Sequence, residues 1–286
     1  MALENKDGHL ERTAAEPRDK DLHTVTISRI DYINENIRLF HLPLLSGPIK
    51  FLPGQWLDTF VPGLPKPGGF TLTCAPSAAA RPHSPYLELA VQRAPDGPAG
   101  WLWRPVCDVE GQRLRVRVGG SFVFPPPAVT GGGEMRRVVF VAGGVGVNPL
   151  ASMLSALADA EDGRRVAAEV LYATKLPREG LRHILFLERI AALFGTRRLR
   201  GRIALHLTGG GEAPRGPSEV CGARVDVRAG RLSAAELRAA VAREDAAGTF
   251  VYVCGPPGMT DEFVEALAGG EEPVVERRRV LTEKWW

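Results

Sequence analysis

The stretch Val138-Val139-Phe140-Val141-Ala142-Gly143-Gly144-Val145-Gly146-Val147-Asn148-Pro149 decides how this chain is read. The run Val138 to Ala142 is apolar throughout, as in a strand buried on both faces of a parallel sheet. Glycines follow, and Asn148-Pro149 then reads as an N-cap with proline at the first helical position. Such a turn lets the backbone approach a pyrophosphate closely, and the helix amides and dipole add partial positive charge. Gly143, Gly144, Val145, Gly146, Val147, Asn148 and Pro149 are therefore candidate dinucleotide contacts. A tight turn with no ligand is the bland alternative, and the framing strand and cap weigh against it.

Downstream, the apolar runs Val170 to Ala173, Ile203 to Leu207 and Phe250 to Cys254 are separated by helical periods, and Ser233 with Glu236 forms a capping-box signature. Strands alternating with helices imply an α/β, doubly wound parallel sheet. The run from Val251 ends in Cys254-Gly255-Pro256-Pro257-Gly258-Met259, before a helix around Asp261 to Leu267. Ligands of open sheets collect at the carboxyl ends of strands, so Cys254 is expected in the same crevice as Gly144 and Gly146. Taken alone, a cysteine there is more often inert packing. Gly209 to Pro217 reads as a flexible surface loop. Glu283-Lys284-Trp285-Trp286 follows a strand-like run ending in Val280-Leu281. A flat aromatic ligand would hold two such tryptophans, and packing on a sheet edge is the alternative.

Upstream, from His23 to about Phe124, short runs of period two are divided by Pro and Gly, among them Trp56 to Phe60, Tyr86 to Val91 and Leu114 to Val118. Repeated strands without helical periods between them imply an antiparallel β-barrel. Arg113, Arg115 and Arg117 share one face of the last run and are expected to form a solvated outer surface. Pro125 to Gly133 holds three prolines and three glycines and marks the domain boundary. The expected organisation is a polar leader over residues 1–21, a barrel over 22–128 and an α/β domain over 129–286. In the barrel, Phe70 can pack on a ring face and Thr71 can hydrogen-bond a ring nitrogen, though on pattern alone both are simply barrel residues.

With 286 residues, 44% apolar and 24% charged, the chain has room for two packed cores. No apolar run approaches the ~18 residues of a membrane span. The first 21 residues mix six acids with four bases, unlike an organelle transit peptide. Cys74, Cys107, Cys221 and Cys254 lie far apart without zinc or iron-sulfur spacing, so no metal is expected and a reducing compartment is favoured. The net charge of +3 is too small to imply nucleic acid. Arg197, Arg198, Arg200, Arg202 and Arg277 to Arg279 are bunched nonetheless, which suits an acidic carrier protein.

These regions together resemble the ferredoxin-NADP reductase family, most closely its oxidoreductase NAD-binding domain-containing members. The similarity runs from about Leu10 to Trp286, with the nearest matches at His9 to Ala14, Gly54-Gln55-Trp56, Gly68-Gly69-Phe70, Val118-Gly119-Gly120, Gly143 to Pro149, Cys254 to Met259 and Glu283 to Trp286. The resemblance implies a flavin-dependent oxidoreductase that passes hydride from NAD(P)H to FAD, in preference to FMN, and electrons onward to an unidentified acceptor. Gly144, Gly146 and Pro149 then serve the pyrophosphate, Cys254 and Gly255 the nicotinamide, and Phe70 and Thr71 the isoalloxazine. Trp285 matches the flavin-stacking aromatic, Glu283 an acid two residues before it, and Trp286 is an extension. The family's phosphate-gripping arginine falls on Gly68, so Lys66, Arg93 and the Gly97-Pro98-Ala99-Gly100 turn are candidate replacements. Thr174, Lys175 and Thr208 are candidates for the adenosine end, with NADH and NADPH level. A non-catalytic nucleotide-binding module on the same scaffold is the alternative. The family implies a mitochondrial location, and the cytoplasm is the other expectation.

Overall fold

The computed structural model describes residues 8–127, 135–161, 165–209, 215–244 and 246–284. The chain divides into two compact units, Met1–Val123 and Phe124–Trp286.

The first unit is all-antiparallel. Its strands are β1 (His23–Thr26), β2 (Arg29–Asn34), β3 (Ile37–Pro43), β4 (Trp56–Phe60), β5 (Gly68–Thr71), β6 (Tyr86–Gln92) and β7 (Arg113–Gly119), with short helices α1 (His9–Arg12), α2 (Pro76–Ala79), α3 (Gly97–Leu102) and α4 (Val106–Val109). One sheet runs β1-β7-β4-β5 and the other β2-β3-β6. Single bridges from Val25 to Leu44 and from Leu72 to Leu89 join them into a barrel. Alternation sends Val25, Leu57, Leu89, Val116 and Val118 into a common core with Phe40 and Leu42. Arg38 is buried across this core's rim. It lies over the rings of Tyr32 and Trp103 and donates to the carbonyls of Leu102 and Arg104, which satisfies the end of α3.

Residues 8–21 are not a detached leader. Asp19 N–H bonds to the Val118 carbonyl, Gly120 N–H to that of Pro17, and Arg18 bridges Gly119, so the segment is strapped to the end of β7. The division between units also falls earlier than the proline run. Phe124 packs against Phe140 and Tyr252 at 6.0 and 5.8 Å between ring centroids, and this aromatic contact draws it into the second unit.

The second unit holds β8 (Arg137–Gly143), α5 (Val147–Asp159), β9 (Ala167–Lys175), α6 (Leu187–Gly195), β10 (Arg200–Thr208), β11 (Gly216–Val220), β12 (Ala223–Ala229), α7 (Ala234–Val241), β13 (Thr249–Gly255), α8 (Pro257–Ala268) and β14 (Val280–Lys284). Its sheet order is β11-β12-β10-β9-β8-β13-β14, parallel except for the edge strand β11. Leu237, Val241, Phe263 and Leu267 of α7 and α8 cover one face over Val139, Val141, Val251 and Val253.

The capping box at Ser233 is present in both directions, with Glu236 N–H on the serine hydroxyl and the Glu236 carboxylate accepting from Ser233 N–H. Asn148 is not an N-cap. Gly144–Gly146 already form a 3-10 turn that runs straight into α5, so Asn148 and Pro149 lie inside its first turn. The expected loop from Gly209 to Pro217 is shorter at its far end, because Gly216 and Pro217 pair with Val227 and Asp226 in β11. Residues 210–214 lie outside the described set. The β11–β12 hairpin turns on Cys221 and Gly222, both at positive φ, which twists it to match its strands.

Candidate functional site

In the second unit, β9, β10 and β12 lie to one side of β8, and β13 and β14 to the other. The winding therefore reverses between β8 and β13, the position at which open sheets of this kind hold their ligands in a crevice. The glycine turn and the cysteine turn both sit there. Gly144 takes φ +55 with open space around its missing Cβ, so its backbone is uncovered toward a ligand. Gly146 is required for the opposite reason, because a Cβ there would lie 2.1 Å from the Cys254 carbonyl oxygen. Gly143 and Gly255 likewise pack against Met259, and Gly143 also meets Pro256. Cys254 is the neighbour of Ala142 on one side and of Glu283 on the other. The structure thus gathers Gly143, Gly144, Val145, Gly146, Val147, Cys254, Gly255, Pro256, Met259 and Glu283 at one edge. Cys254 itself is fully buried.

Thr174 and Lys175 end β9 and stand beside Leu207 and Thr208 of β10. They share the carboxyl edge but lie away from the crevice. Lys175 is exposed. Lys284, next to Glu283, pairs with Asp261 at 2.6 Å. Trp285 and Trp286 lie outside the described residues.

Most of the bunched arginines are at the other edge and have partners. Glu169 is buried and accepts from Arg137 at 2.5 Å and Arg243 at 2.9 Å, while Arg137 also donates to the Ala240 and Val241 carbonyls that end α7. Arg202 approaches Glu244 at 3.7 Å, Arg198 pairs with Asp159, and Arg278 with Glu276. Arg136, Arg137 and Arg200 line a cavity of about 430 Å³ at the amino ends of β8 and β10.

In the barrel, β5 is an edge strand. Alternation puts Phe70 on its inner face with Gly68, and Thr71 on its outer face with Gly69, so one flat ligand meets both only by lying across the edge. The Thr71 hydroxyl is buried and has no hydrogen-bond partner among the described residues. Gly68 has no room for a side chain: a Cβ would lie 2.8 Å from both the Phe70 ring and Pro98. Of the candidate replacements, Lys66 pairs with Glu11 at 2.5 Å on the surface. Arg93 lies with its guanidinium 5.7 Å from the Trp103 ring. Gly97, Ala99 and Gly100 form the start of α3, where Gly97 has φ +63 and open space.

Sequence reasoning missed the outer face of this sheet. Asp58 is fully buried there and accepts from His9 Nε2 at 2.8 Å, from Arg18 Nε at 3.1 Å and from Arg117 at 2.6 and 2.9 Å. Burial pushes its carboxyl up, but the bonds from His9, Arg117 and Arg18 outweigh this and hold it at about 2. Arg117 is thus clamped to an acid, while Arg113 and Arg115 are exposed as expected. The available signal was an acid alternating with Trp56 on one face of an apolar strand.

Two units of this kind, an antiparallel barrel and a doubly wound sheet, define the fold of the ferredoxin-NADP reductases. The ferredoxin NADP+ reductase of Neisseria gonorrhoeae, solved with FAD and NADP, superposes with a TM-score of 0.64 over 93% of this chain and 99% of that one at 15% identity. The Amycolatopsis cytochrome P450 reductase GcoB gives 0.65 over 94% and 70% at 23% identity. Residues 140–265 match the oxidoreductase NAD-binding domain model. Oxidoreductase NAD-binding domain-containing protein 1 of Danio rerio is 31% identical over the whole length of both chains, and this chain belongs to that family.

Proposed function

We propose that the chain is an NAD(P)H-dependent flavoprotein oxidoreductase, carrying hydride from NAD(P)H to FAD and electrons onward to an acceptor. The observation that carries this reading is the convergence of Gly144, Gly146, Cys254 and Glu283 at the switch point of the sheet. Gly144 and the first amides of α5 bind pyrophosphate, and the nicotinamide would lie over the uncharged turn that follows Cys254 and Gly255, both of them buried beneath it. Thr174, Lys175 and Thr208 take the adenosine end of either nucleotide. The residues of β5 fit a flavin: the buried Thr71 hydroxyl, with no partner among the described residues, would donate to it, and Phe70 would pack on a ring face. When bound, the flavin accepts two electrons and releases them singly or in pairs. Lys66, Arg93 and the Gly97 to Gly100 amides would hold its phosphates. The acceptor is unidentified, and the bunched arginines, most of them paired and at the opposite edge of the sheet, give no support to an acidic carrier at the crevice.

The test is the absorption spectrum of the purified protein with and without FAD, followed by anaerobic titration with NADH and then NADPH. Bleaching of the oxidised flavin band is the expected result. One observation favours a second reading, a non-catalytic nucleotide-binding module: Gly68 leaves no space for a phosphate-gripping arginine. A colourless protein that neither retains FAD nor bleaches would support that module.

A further inference from the structure

The strap over residues 8–21 is anchored more firmly than its polar composition requires. His9 does more there than hydrogen-bond to Asp58. Its ring stands edge-on to Trp56 at 4.7 Å between centroids, and it occupies the space beside Gly69, where a Cβ would lie 2.1 Å from the imidazole. Asp58 is the cross-strand partner of Gly69, so one histidine bonds to β4 and packs on β5 at the same register. Arg18 completes the lock by donating to Asp58 and to the Thr13 hydroxyl and by lying over Trp56 at 4.9 Å. As the edge of its sheet, β5 has a full ladder on one side alone, and on the other only the bridge that continues it at Leu72 to Leu89 of β6. Its place is set by the ladder to β4, by the bridge to β6 at its end, by the Phe70 and Pro98 contacts on its inner face, and by His9 on its outer face.

We propose that His9 is a positioning residue for the flavin edge. Fixed by Asp58, its imidazole holds β5 so that Phe70 and Thr71 keep the spacing a ring system lying across the strand requires. The inference rests on the flavin reading of β5 given above. It assigns to a segment upstream of the barrel strands a part in shaping the site.

The experiment measures the FAD dissociation constant and the visible spectrum of bound FAD for wild type, His9→Ala, Gly69→Ala and the double variant, with melting of the flavin-free proteins alongside. Gly69 has no positive φ, so alanine there meets the histidine ring and little else. Each single variant should weaken FAD binding ~10-fold and shift the flavin band, and the double should recover most of both, because the new methyl enters the space the ring has left. If His9→Ala does not fold, Gly69→Ala carries the test, since it retains Asp58, Arg18 and Arg117. Wild-type affinity and an unshifted spectrum in the single variants, even with lower melting temperatures, would reduce His9 to a purely structural role. A wild-type protein that binds no FAD overturns the flavin reading itself, and the inference with it.

Discussion

At the scale of single residues, the groups that could be found in the sequence are those whose role is local. Gly144, Gly146 and Cys254 each announce themselves by the turn they occupy. Gly146→Ala would force a methyl onto the Cys254 carbonyl, so it should destabilise the second unit by about 1–3 kcal/mol and weaken nicotinamide nucleotide binding, seen by melting and by calorimetric titration. Thr71→Val removes a buried hydroxyl that lacks a partner. The flavin-free protein should melt at the same temperature or higher, while the rate of flavin reduction in stopped flow falls. Asp58 was hidden because His9 lies 49 positions before it, and no local pattern joins the two. Its carboxyl is depressed from 3.8 to about 2, so the stability it supplies is complete above pH 4 and is lost as pH falls through 2. Asp58→Asn should therefore flatten the acid limb of the stability curve below pH 4. At pH 7 it should cost about 1–3 kcal/mol, because the half-buried Arg18 and Arg117 are left without their anion.

At the scale of elements, legibility followed sequence distance. The capping box of α7 is complete within four residues, and Ser233→Ala should cost about 1 kcal/mol in a thermal melt. The start of α5 was misplaced because a 3-10 turn of glycines continues into the helix and needs no side-chain cap. The β11–β12 hairpin was missed because its turn uses Cys221 in the left-handed region, outside the usual Asn-Gly and Asp-Gly pairs. The strap was read as a leader because acids and bases mixed in a short segment look solvated until their partners in β4, β5 and β7 are known.

At the scale of the whole molecule, each unit closes its own core, and alternation in one half with strand–helix periodicity in the other made that division visible. Residues 124–286 expressed alone should fold cooperatively and bind nicotinamide nucleotide without flavin, as circular dichroism and calorimetry would report. Failure of that fragment to fold would show that its core is insufficient by itself. In the sheet, Thr174, Lys175 and Thr208 stand at the ends of β9 and β10, above the packed layers. On the proposed function, replacing them alters which nucleotide is selected and leaves the layers beneath untouched. A lineage carrying such a protein would then change its electron donor through mutations nearly neutral for folding, and donor preference would drift among relatives whose cores stay the same.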